Sequence, residues 1–448
     1  MSEKRILLTV LIALCLISLT GCVKKPTFSS PCCKIPSGHE ATFMIVSDPH
    51  YLSRSTYDEN EAFNDFCCTA DGKLIIYTEE IIDTLIWEIE NKKPDFLIIS
   101  GDLTCNGEKE SHLDFAKKLE KIEIQGTCVF VIPGNHDIEN PWARNYFGKE
   151  SIITESITDE EFYEIYHSFG YMEAISKDEH SLSYLLTPSE DVWLLMLDST
   201  KKNKGKPLDI PEKGGAIPSK TLNWIEECAK LAKENNARLI ASMHHSLLEH
   251  NSVINKDYVI DNKDEVLKLF KKLGIEIVLT GHIHLQSINS YEEGDYRLYD
   301  IATGSILAYP NVYGELKHIP GYGFEYNSYK IDVEGWSKEN NIKDDNLLNF
   351  KMYSKEYFKE KSYEKYYKVL KEKLDYDNEE SYEALADSVA KMNVEYFQGQ
   401  RNDVLKKAIK ATEYQRLMES LPDCLKAYIL SMGDCQFTDN NTLLIPQD

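Results

Sequence analysis

An apolar run, Cys128-Val129-Phe130-Val131-Ile132, stops abruptly at Pro133-Gly134-Asn135-His136-Asp137. This change of character constrains the chain more than any other feature. An unbroken apolar run of this length reads as a buried strand, and Pro-Gly ends it. In open α/β sheets ligands bind at the carboxyl ends of the strands. The turn thus displays Asn135 as a neutral oxygen donor, His136 as a proton carrier and Asp137 as an orienter. Taken alone, the same five residues also read as a polar turn punctuated by Pro and Gly.

The pattern repeats along the chain. Residues 41–46 form an apolar strand that runs into Ser47-Asp48-Pro49-His50, where Asp48 and His50, two apart, can turn toward one centre. Residues 75–91 have helical spacing (Ile76, Ile81, Leu85, Ile86, Ile89), and Pro94 closes that pattern before the strand 96–99. The result is a strand–helix–strand unit. Its second strand ends in Ser100-Gly101-Asp102-Leu103-Thr104, with Gly101 allowing the bend that aims Asp102 over the sheet edge. A helix over 111–122 leads to the third strand and its Asn-His-Asp turn. Residues 138–171, polar, aromatic and irregular with a helix at 160–169, read as an insertion forming one wall of a cleft.

Strands at 181–186 and 192–197 begin a second sheet. A strand at 239–243 ends in His244-His245, a helix follows at 263–273, and a strand at 275–279 ends in Thr280-Gly281-His282-Ile283-His284. A lone His-x-His on an edge strand is as readily surface decoration as a metal site. Strands at 298–302 and 329–333 complete the sheet region. Past Trp336 the texture changes to a charged linker at 338–345 and helical patterns at 354–374, 379–392 and 401–420, a separate helical appendage.

Composition sets outer limits. With 448 residues, 42% of them hydrophobic, the chain can build sizeable cores. A formal charge of -24 excludes a general nucleic-acid binder, which needs clustered Lys and Arg. Lys4 and Arg5 precede an apolar run over 6–19 that is too short to span a bilayer comfortably, which is signal-peptide anatomy. The run ends in Leu19-Thr20-Gly21-Cys22, which resembles the lipobox of bacterial lipoproteins. That resemblance implies cleavage before Cys22, a lipid on its sulfur, and an exported chain anchored to the bacterial cell membrane, facing outside the cytoplasm. An uncleaved anchor helix or a signal cut elsewhere is the other reading. Residues 24–39, rich in Pro and Ser, read as a spacer. Of the 11 cysteines, Cys15 leaves with the signal and Cys22 is acylated, so an odd number remains and no disulfide connectivity follows.

Together the strand ends supply Asp48, His50, Asp102, Asn135, His244, His282 and His284. Imidazoles, carboxylates and one amide oxygen, without a thiolate, suit Mn, Zn or Fe in a catalytic site. Seven ligands are too many for one tetrahedral ion and right for two ions sharing a bridge. In this order, Asp48-x-His50, Gly101-Asp102, Gly134-Asn135-His136-Asp137, His244 and Gly281-His282-x-His284 resemble the calcineurin-like metallophosphoesterase family, over about residues 41–335.

That resemblance implies an α/β fold, a four-layer α/β/β/α sandwich followed here by a C-terminal helical domain. The expected divisions are a signal peptide at 1–21, a spacer at 22–40, the phosphoesterase domain at 41–335 and a helical region at 336–448. By position, Asp48, His50 and His284 would hold one transition-metal ion and Asn135, His244 and His282 the other, with Asp102 bridging. Such a pair hydrolyses phosphoesters with a metal-activated hydroxide. His136 would stabilise the transition state or protonate the leaving oxygen, with Asp137 fixing its ring.

The chain departs from the family at two points. His244-His245-Ser246 stands where the family has His-x-Pro, so His244 is assigned by position. Cys105 stands where purple acid phosphatases place a metal-binding Tyr. Instead, Gly101-Asp102-Leu103-Thr104 with Gly107 is similar to the branch containing class III cyclic nucleotide phosphodiesterases and glycerophosphodiesterases. A small phosphodiester substrate is therefore expected; the alternatives are a phosphomonoesterase or nucleotidase, or a catalytically inactive lipoprotein that binds a partner. The residues do not define an oligomeric state. Cys105 reads as a small buried hydrophobe, and Tyr309 and Tyr313 as packing under a loop or as pocket lining.

Overall fold

A computed structural model describes residues 34–201, 210–374, 379–399, 418–434 and 436–447. The expected signal peptide, Cys22, most of the spacer and much of the last helical pattern lie outside the described residues. Among the described residues no helix is long and apolar enough to cross a membrane.

Three apolar runs, Ala41–Val46, Phe96–Ile99 and Cys128–Val131, pair in parallel and are almost wholly buried. Strands buried on both faces have no polar alternation to show, which is why they read as continuous apolar runs. They form one side of a six-stranded sheet completed by Val312–Ile319, Gly323–Lys330 and Thr442–Pro446. The second sheet has seven strands, with Val192–Leu197, Arg238–Met243, Ile277–Thr280 and Tyr296–Ala302 as its parallel centre.

The period-2 alternation of one strand reveals the layering. Leu194 and Met196 join the core that also holds Phe43, Leu97 and Phe130 of the first sheet. Trp193, Leu195 and Leu197 point the other way, against Leu222 and Ile225 of helix Ser219–Glu234 and Phe270 of helix Lys263–Leu273. Helix Thr78–Lys92 supplies Ile81, Leu85 and Ile89 to the first core. It stops where Lys93 turns left-handed (φ 51°) ahead of Pro94. The arrangement is the expected α/β/β/α sandwich, followed by a C-terminal helical region.

Several local expectations change. The helix expected over 160–169 is Asp159–Ile165, started by a Thr158–Glu161 capping box. The segment that follows, His167–Tyr171, leaves helical geometry at Phe169 and Gly170 (φ 107°), where the chain presses on the Tyr184 ring. Residues 329–333 are not one strand, because Gly323–Lys330 ends before Asp332 caps helix Val333–Glu339. Residues 34–40 of the expected spacer are docked on the second sheet. There the Ile35 amide donates to the Pro188 carbonyl, and the Ser37 hydroxyl and Gly38 amide donate to Asp191. The C-terminal region does not stand apart either. Helices Phe350–Lys373 and Glu379–Phe397 pack together, and Thr442–Pro446 pairs antiparallel with Gly323–Lys330 of the first sheet.

Candidate metal centre

The carboxyl ends of the parallel strands from both sheets converge. Asp48, His50, Asp102 and His284 each offer a ligand atom within 4.8 Å of the others, and Asp102, His244 and His282 form a second such group. Asp102 belongs to both. Its Oδ1 accepts from the His136 amide (2.8 Å), while its Oδ2 lies 3.7 Å from His50 Nε2 and 3.3 Å from His244 Nε2. One oxygen is thus held by the backbone and the other is presented to both halves of the centre.

In the first group, the Nε2 atoms of His50 and His284 are 3.0 Å apart, and His284 Nε2 is 3.2 Å from Asp48 Oδ1. That oxygen is buried and makes no hydrogen bond of acceptable geometry. Leaving a buried carboxylate oxygen unsatisfied costs about 1–3 kcal/mol or more, which a cation at the point shared with the two imidazoles would recover. The other Asp48 oxygen accepts from the Ser47 hydroxyl and from the His282 amide.

In the second group, His244 Nδ1 donates to the Ser100 carbonyl (2.8 Å), directing Nε2 to Asp102 and to Asn135 Oδ1 (3.1 Å). His282 Nε2 donates to the Asp257 carbonyl (3.0 Å), leaving Nδ1 toward the centre. Carbonyl partners of this kind fix ring tautomer and orientation for metal ligation. His245 is elsewhere. Its Nδ1 accepts from the Ser199 hydroxyl and its Nε2 donates to the Lys213 carbonyl, so both ring nitrogens are engaged away from the cluster.

Electrostatics fit a cationic occupant. Burial alone would raise the Asp102 carboxyl, but His244 and then His136 hold it well below the ordinary value. Against burial, the Asp102 charge raises His244 to about 9. Without metal, then, a proton on His244 stands in for the cation. His282 is pushed down to about 3, first by burial and then by His244. The oxygen and nitrogen donors, the shared carboxylate and the orphaned Asp48 oxygen together fit two metal ions.

The backbone is bent to make this possible. Asp48, His50, Asp102, His282 and His284 all have positive φ, between 40° and 65°. Side chains rarely adopt that region, at roughly 1–3 kcal/mol each. Gly281 lets the chain pass against Ser47 and Asp48, where a Cβ would overlap the Ser47 hydroxyl.

The role expected of Asp137 needs correction. Its carboxylate does not touch the His136 ring. Instead it accepts from the amides of Leu103 (3.0 Å), Thr104 (2.9 Å) and Gly134 (2.8 Å) and from the Thr104 hydroxyl. Burial, followed by the Asp102 charge, raises it to about 7. Asp137 therefore fastens the Asn-His-Asp turn to the Asp102 turn and is a positioning residue. The His136 ring is oriented by the Cys105 carbonyl, which accepts from Nδ1 at 2.7 Å, with Asn106 Oδ1 at 3.1 Å. The clue was Cys105-Asn106 following the Asp102 turn, but a backbone carbonyl carries no sequence signature.

The centre opens into a cavity of about 1050 Å³ whose far wall is formed by Phe358, Tyr366, Tyr396 and Phe397 of the C-terminal helices. Tyr309 instead packs on Phe358, and the Tyr313 hydroxyl donates to Glu88. Cys105 is buried at the cavity floor.

This chain belongs to the calcineurin-like phosphoesterase family, whose model matches residues 41–286, more than half of its length. A second family model, described as the C-terminal domain of cyclic nucleotide phosphodiesterase, matches residues 332–439. Membership of that family indicates a metal-dependent hydrolase. It is 22% identical over 196 residues to a probable glycerophosphodiester phosphodiesterase (GpdQ) of Arcobacter nitrofigilis. That match spans 43% of this chain and 57% of the relative's length. Among solved structures, a dimetal phosphatase from Danio rerio aligns at 10% identity and TM-score 0.46, over 64% of this chain and 95% of that one. GAP50 of Plasmodium aligns at 10% identity and TM-score 0.35, over 65% and 84%.

Proposed function

We propose that this protein is an exported, lipid-anchored phosphodiesterase with a dinuclear centre of Mn, Zn or Fe. The observation that carries the two-ion reading is the single oxygen, Asp102 Oδ2, shared by two ligand groups. Asp48, His50 and His284 would hold one ion and Asn135, His244 and His282 the other, with Asp102 contributing to both. When bound, such a pair would supply Lewis acidity and a water of lowered pKa.

The rest is done by the chain. The paired imidazoles and carboxylates fix where the phosphoryl group sits. His136, its Nδ1 committed to the Cys105 carbonyl, keeps Nε2 without a hydrogen-bond partner among the described residues, at the cavity. Burial lowers its pKa to about 4, so it is neutral until a phosphoester anion arrives and favours the imidazolium. In that form Nε2 donates to the departing oxygen. Asp137 keeps the two turns in register. The preference for diesters is supported by the relative's description and by the second family match.

Purified chain lacking the first 22 residues and supplied with Mn should hold about two ions and hydrolyse a generic diester at least tenfold faster than the matching monoester. His136→Ala should keep the ions and lose roughly 10²–10³ in kcat. A faster monoester rate would reassign the enzyme to the phosphomonoesterases. Loss of metal in the His136 variant would make that residue structural.

Cys22 lies at the lipobox-like Leu19-Thr20-Gly21-Cys22. In a bacterial host the full chain should fractionate with membranes and take up labelled fatty acid, and Cys22→Ala should abolish the label. Full membrane retention and labelling in the variant would refute the anchor.

A further inference from the structure

The cavity wall has a charge balance opposite to that of the whole chain, which carries 50 Lys and Arg against 74 Asp and Glu. Apart from Asp102, the acidic residues lining the cavity are Asp71 and Asp257. Lys73, Arg144, Lys213 and Lys256 also line it, and among the described residues none of the four has a carboxylate partner. Of these, Lys73 and Arg144 are half-buried, and Arg144 donates to the Pro141 and Ala143 carbonyls, which leaves Lys73 as the half-buried cation without such a partner among the described residues. An ammonium taken partly out of water with no counter-ion is disfavoured unless a ligand brings one.

The fold holds this lysine in place. Asp71 and Gly72 both adopt positive φ (52° and 84°), and the bridge between Lys73 and Ala308 pins the turn to the loop between strands Tyr296–Ala302 and Val312–Ile319. The C-terminal helix Phe350–Lys373 grips the turn from outside. Phe358 lies against Gly72, and Lys365 pairs with Asp71 at 2.9 Å, so the carboxylate nearest in sequence to Lys73 is already shared with a second cation. Asp102, Asn135, His136, His282 and His284 share this cavity, and Phe66, Tyr258 and Tyr396 supply apolar wall.

The two metal sites already answer the phosphoryl charge, so an additional unpaired cation suits an additional anion. We propose that Lys73 is a specificity-determining residue that contacts a second anionic group on the substrate. The preferred substrates are then phosphodiesters bearing a carboxylate or phosphate on one of the esterified alcohols. This rests on the diesterase reading above.

The test compares three 4-nitrophenyl phosphodiesters whose second alcohol is methyl, carboxymethyl or 2-phosphoethyl, using Mn-loaded chain and its Lys73→Met and Lys73→Arg variants. The parent should favour at least one of the doubly charged esters over the methyl ester by about tenfold in kcat/KM, and the better of the two identifies the anion. Lys73→Met should erase that preference mainly through KM, with unchanged metal content and a methyl-ester rate within about twofold of the parent. Lys73→Arg should keep most of the preference. Equal loss on all three esters, or a preference that survives in Lys73→Met, would overturn the assignment. If the parent hydrolysed no diester, the diesterase reading would fail by itself. Calorimetry with 2-phosphoglycolate and methyl phosphate would then decide the contact. About tenfold tighter binding of the former that is lost in Lys73→Met supports it, and equal binding refutes it.

Discussion

Asp102→Ala should leave a folded chain that holds fewer than one tightly bound transition-metal ion where the parent holds two. Its kcat/KM should fall by at least roughly a thousandfold, about 4 kcal/mol of transition-state stabilisation. The size follows from how many tasks one side chain carries. Asp102 is common to both ligand groups, with Oδ2 facing His50 and His244 while Oδ1 receives the His136 amide, so its removal weakens both metal positions and frees the turn bearing Asn135 and His136. Asp102→Asn separates these effects. The amide can still accept from the His136 backbone but brings no negative charge to share between two cations, so metal should be lost while the melting temperature stays near that of the metal-free parent. Elemental analysis and a thermal melt read both. Two ions retained in Asp102→Ala would mean that the two groups do not form one centre.

The second large effect belongs to a residue with no side chain. A Cβ on Gly134 would collide with the amide nitrogen and Oδ1 of Asp102, so the two turns touch backbone to carboxylate. Gly134→Ala has to push them apart. Because each turn is also tied to Asp137 through the amides of Gly134, Leu103 and Thr104, the displacement cannot be absorbed locally. The expected result is a loss of about 3 kcal/mol in stability, together with loss of metal binding. Denaturant unfolding with and without Mn measures both, and a variant within 0.5 kcal/mol of the parent, by the roughly ±0.5 expected of neutral surface changes, would show that the turns have room to spare.

Much of this was legible in the residues because the strands that carry the site are buried on both faces. Ala41–Val46, Phe96–Ile99 and Cys128–Val131 are apolar throughout, and each ends where its polarity changes. The outer strands were hidden for the opposite reason. Val312–Ile319 and Gly323–Lys330 mix buried and half-exposed positions and carry Lys, His, Glu and Asn, so their period blurs into loop. Similarly, an amphipathic pattern in the C-terminal helices shows that a face is covered but not what covers it, and so the cavity wall at Phe358 and Tyr396 could not be anticipated. Asp137 was misread because three of its four hydrogen-bond donors are backbone amides. The positive φ values at five of the ligand positions were invisible too, since Asp and His give no hint of the conformations that converging loops impose on them.

The pairing of Thr442–Pro446 with Gly323–Lys330 also bears on how the molecule is made. A ribosome releases Ala41–Val46 early, and the residues through His284 follow, so every proposed metal ligand exists long before residue 442 is synthesised. The sheet that displays several of those ligands gains the strand Thr442–Pro446 more than 150 residues after the last of them. Until then Gly323–Lys330 is an open edge able to pair with a neighbouring chain. Biosynthesis thus leaves this edge of the metal-bearing sheet unpaired until residues 442–446 emerge, and removal of those residues would leave it bare.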